Sequence, residues 1–292
     1  MLTIFSTCKP FRDHFAIIQR NAITSWTLLR PKPEIILFGD EEGVAEICQE
    51  LGLRHVPEIA RNEFGTPLLN DLFEKAQRLA SHEILCYVNA DIILMGDIID
   101  SIQKISHTLK NPWWLLTGRC IYTNISESLN FTNSLTLDNL RCVALQSGKL
   151  GQLDSLDYFL FPKGLFHDLL PLAIGRQQWH AWLLWYVVHE RGGCVIDATE
   201  VIVAIHQNHP IQVANIAEVR KNILIGGGWV KYYSLSQAEF VLTEAGLFRR
   251  MPCFRVRLEF FWRQLLDWTR PLRHALGLRQ ETLKIWLRKW ER

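Results

Sequence analysis

No stretch of this chain approaches the ~18 consecutive apolar residues of a membrane-spanning helix; the longest, AWLLWYVV, runs only from Ala181 to Val188. The opening MLTIFSTCKPF lacks a basic segment followed by a long apolar one. It therefore reads as a first strand rather than an export signal, and the cytoplasm is the expected compartment. Seven scattered cysteines form no Cys-x-x-Cys pair, which excludes the common zinc and dithiol motifs and points to reduced, mostly buried thiols. The sequons at Asn124 and Asn130 carry little weight without an export signal. Absence of G-x-G-x-x-G after the first strand and of G-x-x-x-x-G-K-[ST] excludes the phosphate-binding turns of dinucleotide dehydrogenases and P-loop ATPases. No G-x-S-x-G nucleophile elbow occurs. Arginines are not interleaved with aromatics as in RNA-binding modules, so nucleic acid is not an expected partner. Gly226-Gly227-Gly228 lacks a following Lys and Ser/Thr and reads as a turn rather than a phosphate cradle.

What is present suits one large α/β domain with a small appendage: 292 residues, 48% of them hydrophobic. The formal charge of +2 hides an asymmetry. Residues 1–248 hold 20 Lys and Arg against 26 Asp and Glu, and residues 249–292 hold 12 against 4. A division at residues 1–247 and 248–292 follows. The second part spaces Leu258, Phe261, Leu265, Trp268 and Leu272 as on a helix, with Arg255, Arg263, Arg270 and Arg273 between them. Trp286 and Trp290 lie beside Lys284, Arg288 and Lys289. Such a basic, Trp-bearing helical tail can lie on an anionic membrane, here the inner face, or pack its aromatic side on the main domain or a second subunit.

Short apolar runs alternate with helical patterns through the first half. LTIFS is followed by a helix from Asp13 to Leu28, EIILF by a helix from about Gly43 to Leu51, and Thr66-Pro67 reads as the cap and first turn of a helix reaching Leu79. This alternation predicts βαβ units and a mostly parallel sheet. From Asn111 to Pro162 strand-like WWLLTGR and DYFLFP enclose a polar stretch, predicting antiparallel strands and an irregular acceptor-facing loop. Trp179 to Arg191 is again helical and is stopped by Gly192-Gly193; CVIDA and VIVAIH read as late strands.

The most informative segment is Tyr87 to Leu94, YVNADIIL, in which an apolar strand runs straight into Asn-x-Asp. In an open α/β sheet the ligand crevice lies outside the carboxyl ends of the strands. A carboxylate there can hold Mg²⁺ or Mn²⁺ against phosphate oxygens, because both ions take hard oxygen ligands. The competing reading is an ordinary strand-ending turn.

Taken together, IQRNAI, LFGDE, RNEFGTPL, NADIIL, DYFLFP, IGR-x-x-W and IHQNH, in this order over residues 1–245, resemble a glycosyltransferase-like family of the GT-A fold. The resemblance implies a Rossmann-like, mostly parallel central sheet flanked by helices. It also implies transfer of a sugar from a nucleotide diphosphate sugar to a hydroxyl acceptor with Mn²⁺ or Mg²⁺. Ser6, Thr7 and Lys9 would line the nucleoside pocket, and Asp40 would contact base or ribose, although Asp-Glu-Glu-Gly is also a good turn. Arg61, Asn62 and Asn70 would pass beneath the diphosphate, or Arg61 would pair with Glu58 or Glu63 at the surface. Asp91 would be the metal ligand, with Asn89 reaching ribose or metal-bound water. His206, with His209 nearby, would follow a late strand as a further ligand, and Arg176 would offset charge on the leaving diphosphate.

One departure concerns catalysis. Where the family pattern reads W-D-N-W, this chain has Trp179-His180-Ala181-Trp182. The acceptor base expected in that region would then be His180 or Asp157. Two rival functions keep the fold: a sugar-phosphate nucleotidylyltransferase, whose glycine-rich basic signature CKPFRDHF does not supply, and a nucleotide-sugar-binding or membrane-associated partner protein without turnover.

Overall fold

The β-branched and aromatic runs LTIFST, EIILF, ILCYV and YFLFP alternate side chains between two apolar layers, and this alternation sets the architecture. Ile4, Leu37, Cys86 and Leu160 enter one core, and Phe5, Ile36, Tyr87 and Phe161 the other. The computed structural model describes residues 2–210 and 214–250; the tail expected from residue 248 lies almost wholly outside them.

In chain order the first elements are β1 (Leu2–Thr7), α1 (Asp13–Thr27), β2 (Glu34–Phe38), α2 (Val44–Leu51), β3 (Arg54–Val56), α3 (Leu69–Leu79), β4 (Ile84–Val88), β5 (Ile92–Ile93) and α4 (Asp97–Thr108). There follow β6 (Trp114–Thr117), β7 (Ile121–Thr123), α5 (Thr136–Ser147), β8 (Lys149–Leu150), β9 (Tyr158–Pro162), α6 (Trp179–His189), β10 (Cys194–Asp197), β11 (Ile205–Gln207), α7 (Ile216–Ile225), β12 (Phe240–Thr243) and β13 (Gly246–Arg249).

Nine strands form the large sheet in the order β13-β12-β10-β6-β9-β4-β1-β2-β3. The β3-β2-β1-β4 and β6-β10-β12 pairs are parallel, and β9 is inserted antiparallel between β4 and β6. The carboxyl ends of β1, β2, β4, β6 and β10 therefore share one edge with the amino end of β9. A second sheet, β5-β11-β7-β8, is built from the segments that leave this edge. This is the mixed α/β class, with a mostly parallel sheet flanked by helices, that the alternating pattern predicts.

On one face α1 is anchored by Trp26, whose indole N–H donates to the Ile92 carbonyl at 2.9 Å. On the other, Phe73 of α3 packs edge-on to Phe5 at 5.1 Å and stacks on Phe161 at 5.6 Å. Helix α6 buries residues all round, from Trp179 to Val187, as its unbroken apolar run requires.

Three local expectations are corrected. Helix α3 begins at Leu69 and Thr66 is not its cap, because Arg61 bridges to Pro67 and Leu68 to Ala173 in extended conformation. The polar stretch after Asn124 contains α5; its inward stripe is Leu140 and Ala144 with partly buried Leu137, while Leu135, Val143 and Leu145 are exposed and blur the helical period. Val201–Ala204 precede β11 rather than belonging to it.

Trp26→Phe keeps one aromatic ring but removes the donor and part of the indole's volume, leaving the Ile92 carbonyl unpaired and a small void in a dry core. A loss of about 1–3 kcal/mol in urea unfolding is expected, with an unchanged m-value.

Candidate functional site

At the shared strand edge the chain leaves β4 through Asn89 and reaches Asp91 one residue before β5. Strand β11 pairs antiparallel with β5, His206 opposite Ile92, and parallel with β7, His206 opposite Tyr122. Register thus brings His206 Nε2 to 3.7 Å from Asp91 Oδ2, with the imidazole stacked on the Tyr122 ring at 4.3 Å. His209 Nε2 approaches the same oxygen at 3.1 Å, while its Nδ1 lies 3.0 Å from the Pro210 carbonyl. One ligand atom from each of Asp91, His206 and His209 lies within 4.8 Å of the others. All three side chains are largely shielded from solvent.

Electrostatics agree with this geometry. Burial alone would raise the Asp91 carboxyl, but the His209 hydrogen bond and the charges of His206, His209 and Lys9 hold it below its usual range. The hydrogen bond to Asp91 in turn raises His209. Asp91 Oδ1 and His206 Nδ1 are buried without hydrogen-bond partners, an arrangement that costs free energy unless something polar fills it.

Asp157, just before β9, sits at the same edge, its carbonyl accepting from the Asn89 amide at 2.9 Å. Asn89 does not project freely: its Oδ1 accepts from the Tyr87 hydroxyl at 2.8 Å and its Nδ2 donates to Asp157 Oδ1 at 2.9 Å. Burial pushes Asp157 up to about 6, His206 pulling the other way and Asp91 adding to the rise. Its Oδ2 is buried and unpartnered.

The predicted anion-binding residues are more tightly held than the sequence suggests. Ser6 is fully buried and its hydroxyl donates to the Val88 carbonyl at 2.5 Å, tying β1 to β4, while neighbouring Thr7 is only partly buried. Lys9 extends over the Phe15 ring at 4.2 Å. Burial lowers its pKa, Asp91 opposes the fall, and the Arg176 charge deepens it. Arg61 pairs with neither Glu58 nor Glu63; it reaches Asp40 at 3.0 Å and Glu41 at 2.8 Å and donates to the Gly65 carbonyl. Exposed Asp40 is thus engaged by another predicted site residue. Asn62 is spent on its own loop and on Glu218, accepting from the Phe64 and Thr66 amides and donating to Glu218 at 2.8 Å. Arg176 donates to buried Glu218 at 2.5 Å and to the Thr66 hydroxyl at 3.1 Å. Asn70 Oδ1 is buried without a partner. His180 is partly buried beside Asp154, and burial pushes it down to about 4.

Sequence reasoning missed the buried amides that hold these loops. Gln19 clasps Lys9, accepting from its N–H at 2.7 Å and donating to its carbonyl at 2.9 Å. Gln207 donates to the Asp91 carbonyl at 2.9 Å and to the Ile18 carbonyl at 2.7 Å, and accepts from Asn21. Glu41 and Glu218 were missed likewise. The available signal was two polar residues, Gln19 and Asn21, within the apolar face of α1.

Gln207→Leu should cost about 2–4 kcal/mol in denaturant unfolding, since it removes three buried side-chain hydrogen bonds, to the Asp91 and Ile18 carbonyls and from Asn21. His180 carries a depressed pKa, so on acidification the unfolded chain takes the proton first, and stability falls between about pH 6.5 and 4. His180→Gln should remove that component and flatten the stability profile across this window.

No protein-family model matches the chain, and no curated protein matches it. Among solved structures, it is similar to glucosyl-3-phosphoglycerate synthase from M. tuberculosis, with 14% identity over 78% of this chain and 81% of that one, at a TM-score of 0.47. A structure of that synthase with Mn²⁺, uridine diphosphate and phosphoglyceric acid aligns over 72% of both chains, with 15% identity and a TM-score of 0.44. S. aureus TarS 1-349 in complex with UDP aligns over 42% of this chain and 36% of that one, with 13% identity and a TM-score of 0.33.

Proposed function

We propose that this chain is a glycosyltransferase that binds a nucleotide diphosphate sugar with a divalent cation at the strand edge and passes the sugar to a hydroxyl group. The observation that carries this reading is the convergence of Asp91, His206 and His209 on one point outside the carboxyl end of β4. The residues fit a cation. They supply one carboxylate and two imidazoles, and the unpartnered Asp91 Oδ1 gives the carboxylate a second free oxygen. When bound, the cation would act as a Lewis acid on the leaving diphosphate.

The chain's own groups have separable roles. Lys9, held by Gln19 and carrying its charge close to both Asp91 and Arg176, would meet a phosphate oxygen. Arg176 is oriented by Glu218 and Thr66, and its Nη1 is only loosely engaged by the Gly175 carbonyl at 3.5 Å. That leaves N–H groups to offset charge developing on the departing diphosphate. Thr7, Asp40, Arg61 and Asn70 would border the nucleoside and diphosphate, with Asn62 and Ser6 shaping the loops beneath them.

Two groups compete as the acceptor base. A base works best with its pKa near the working pH. Asp157, at the strand edge beside Asp91 and His206, is the better placed of the two, while burial weakens His180 as a base. Asp157 would take the acceptor hydroxyl proton on Oδ2 while Asn89 holds Oδ1. Asn89 would then act through Asp157 rather than on the ribose.

Calorimetric titration with UDP- and GDP-sugars should show Mn²⁺-stimulated binding that Asp91→Ala abolishes. Asp157→Asn should keep donor binding and lower turnover, including slow donor hydrolysis, by about 10²–10⁴-fold. Donor binding that ignores both the metal and Asp91→Ala would refute the site. Binding with no hydrolysis or transfer would leave a sugar-nucleotide-binding protein instead.

A further inference from the structure

Among the described residues, the ligand atoms that converge at the strand edge include one carboxylate, Asp91; Asp157 lies at the same edge but outside that group. Asn89, two residues before Asp91, adds no oxygen donor, because its side-chain amide is already committed to Tyr87 and Asp157. The protein donors that remain are one carboxylate and two imidazole nitrogens. We infer that the site selects a transition-metal ion, such as Mn²⁺ or Co²⁺, against Mg²⁺, and that His209 sets this preference. The inference rests on the proposed function only for the assumption that a cation binds here.

Ligand chemistry gives the direction. Mg²⁺ demands near-octahedral oxygen coordination, sheds water reluctantly and is usually held through carboxylates and phosphates. Imidazole nitrogen suits first-row transition ions, whose affinity for nitrogen donors rises along the Irving–Williams order from Mn²⁺ to Co²⁺. Replacing oxygen donors with two nitrogens therefore removes what Mg²⁺ requires and adds what the transition ions favour.

The two imidazoles are also preorganised. His206 is fixed by its pairing with Ile92 and Tyr122 and by the 4.3 Å stack on the Tyr122 ring. His209 packs against Phe15 with ring centroids 5.2 Å apart. Its Nδ1 faces the Pro210 carbonyl at 3.0 Å, which directs Nε2 toward Asp91. A backbone carbonyl on the distal nitrogen is a common way to orient a ligating histidine and raise its basicity. The ring centroids of His206 and His209 lie 5.4 Å apart, so both nitrogens can face one ion.

The test is calorimetric titration of the metal-stripped full chain with MgCl₂, MnCl₂ and CoCl₂, alone and with UDP. Visible absorption of the Co²⁺ form reports imidazole ligation directly. Co²⁺ should bind at least about tenfold more tightly than Mg²⁺, with Mn²⁺ between them. His209→Asp should narrow or invert the Co²⁺/Mg²⁺ ratio, and His209→Gln should weaken Co²⁺ by about 10–100-fold and alter its spectrum. Circular dichroism checks that each variant folds, and the wild-type ratio and spectrum need no variant. Mg²⁺ binding within about threefold of Co²⁺, an unchanged ratio in folded His209→Asp, or no metal binding would overturn the inference. Donor binding supported equally by Mg²⁺ and Mn²⁺ would sink the selectivity and leave the proposed function standing. Metal preference without any nucleotide-sugar binding would do the reverse.

Discussion

The site depends on the register of a very short pairing, Ile92–Ile93 against Ile205–Gln207. Because side chains alternate along a strand, a slip of one residue would turn His206 away from Asp91 and present an apolar neighbour in its place. Two residues of ladder cannot resist such a slip alone. The register is also held by the three-residue pairing of β11 with β7 and by Gln207, whose buried amide ties the Asp91 carbonyl to Ile18 and Asn21 of α1. Trp26 adds a second bond from the same helix to Ile92. Helix α1 thus acts as the rigid support for a cluster to which it contributes no ligand.

Charge is organised by the same logic of fixed partners. Arg61 is held by Asp40 and Glu41, and Arg176 by Glu218, across separations of about 20 to 40 residues in the chain. Glu218 is almost fully buried, so its pairing with Arg176 and Asn62 is a condition of its staying ionised there. Gly39 makes the Arg61 contact possible. It has φ of +106°, and a Cβ there would fall 2.2 Å from a Glu41 carboxylate oxygen. The guanidinium groups of Arg61 and Arg176 are therefore locked in position by carboxylates on other elements.

Much of the fold was legible where one physical signal dominates. The strands LTIFS, EIILF and DYFLFP and the helices from Asp13, Gly43 and Trp179 follow period and apolar content, and all are found within a residue or two of expectation. Helix α5 was not legible, because exposed Val143 and Leu145 interrupt the short inward stripe of Leu137, Leu140 and Ala144 in an otherwise polar segment. Thr66-Pro67 misled because local cap chemistry lost to a bridge within the loop, Arg61 to Pro67, and a long-range one, Leu68 to Ala173.

The same division runs through the site. That an acidic residue ends an apolar strand, and that two histidines follow a late one, is written in the order of residues. The alternation of strand and helix, which makes the strands run parallel, then puts them at one end of the sheet. That His209 reaches Asp91 as closely as His206 does, that Asn89 serves Asp157, and that Arg61 turns to Asp40 could be decided only in three dimensions. These are contacts between segments 20 to nearly 120 residues apart, and a pairing of that kind depends on where the folded backbone delivers each side chain, which local propensity does not encode.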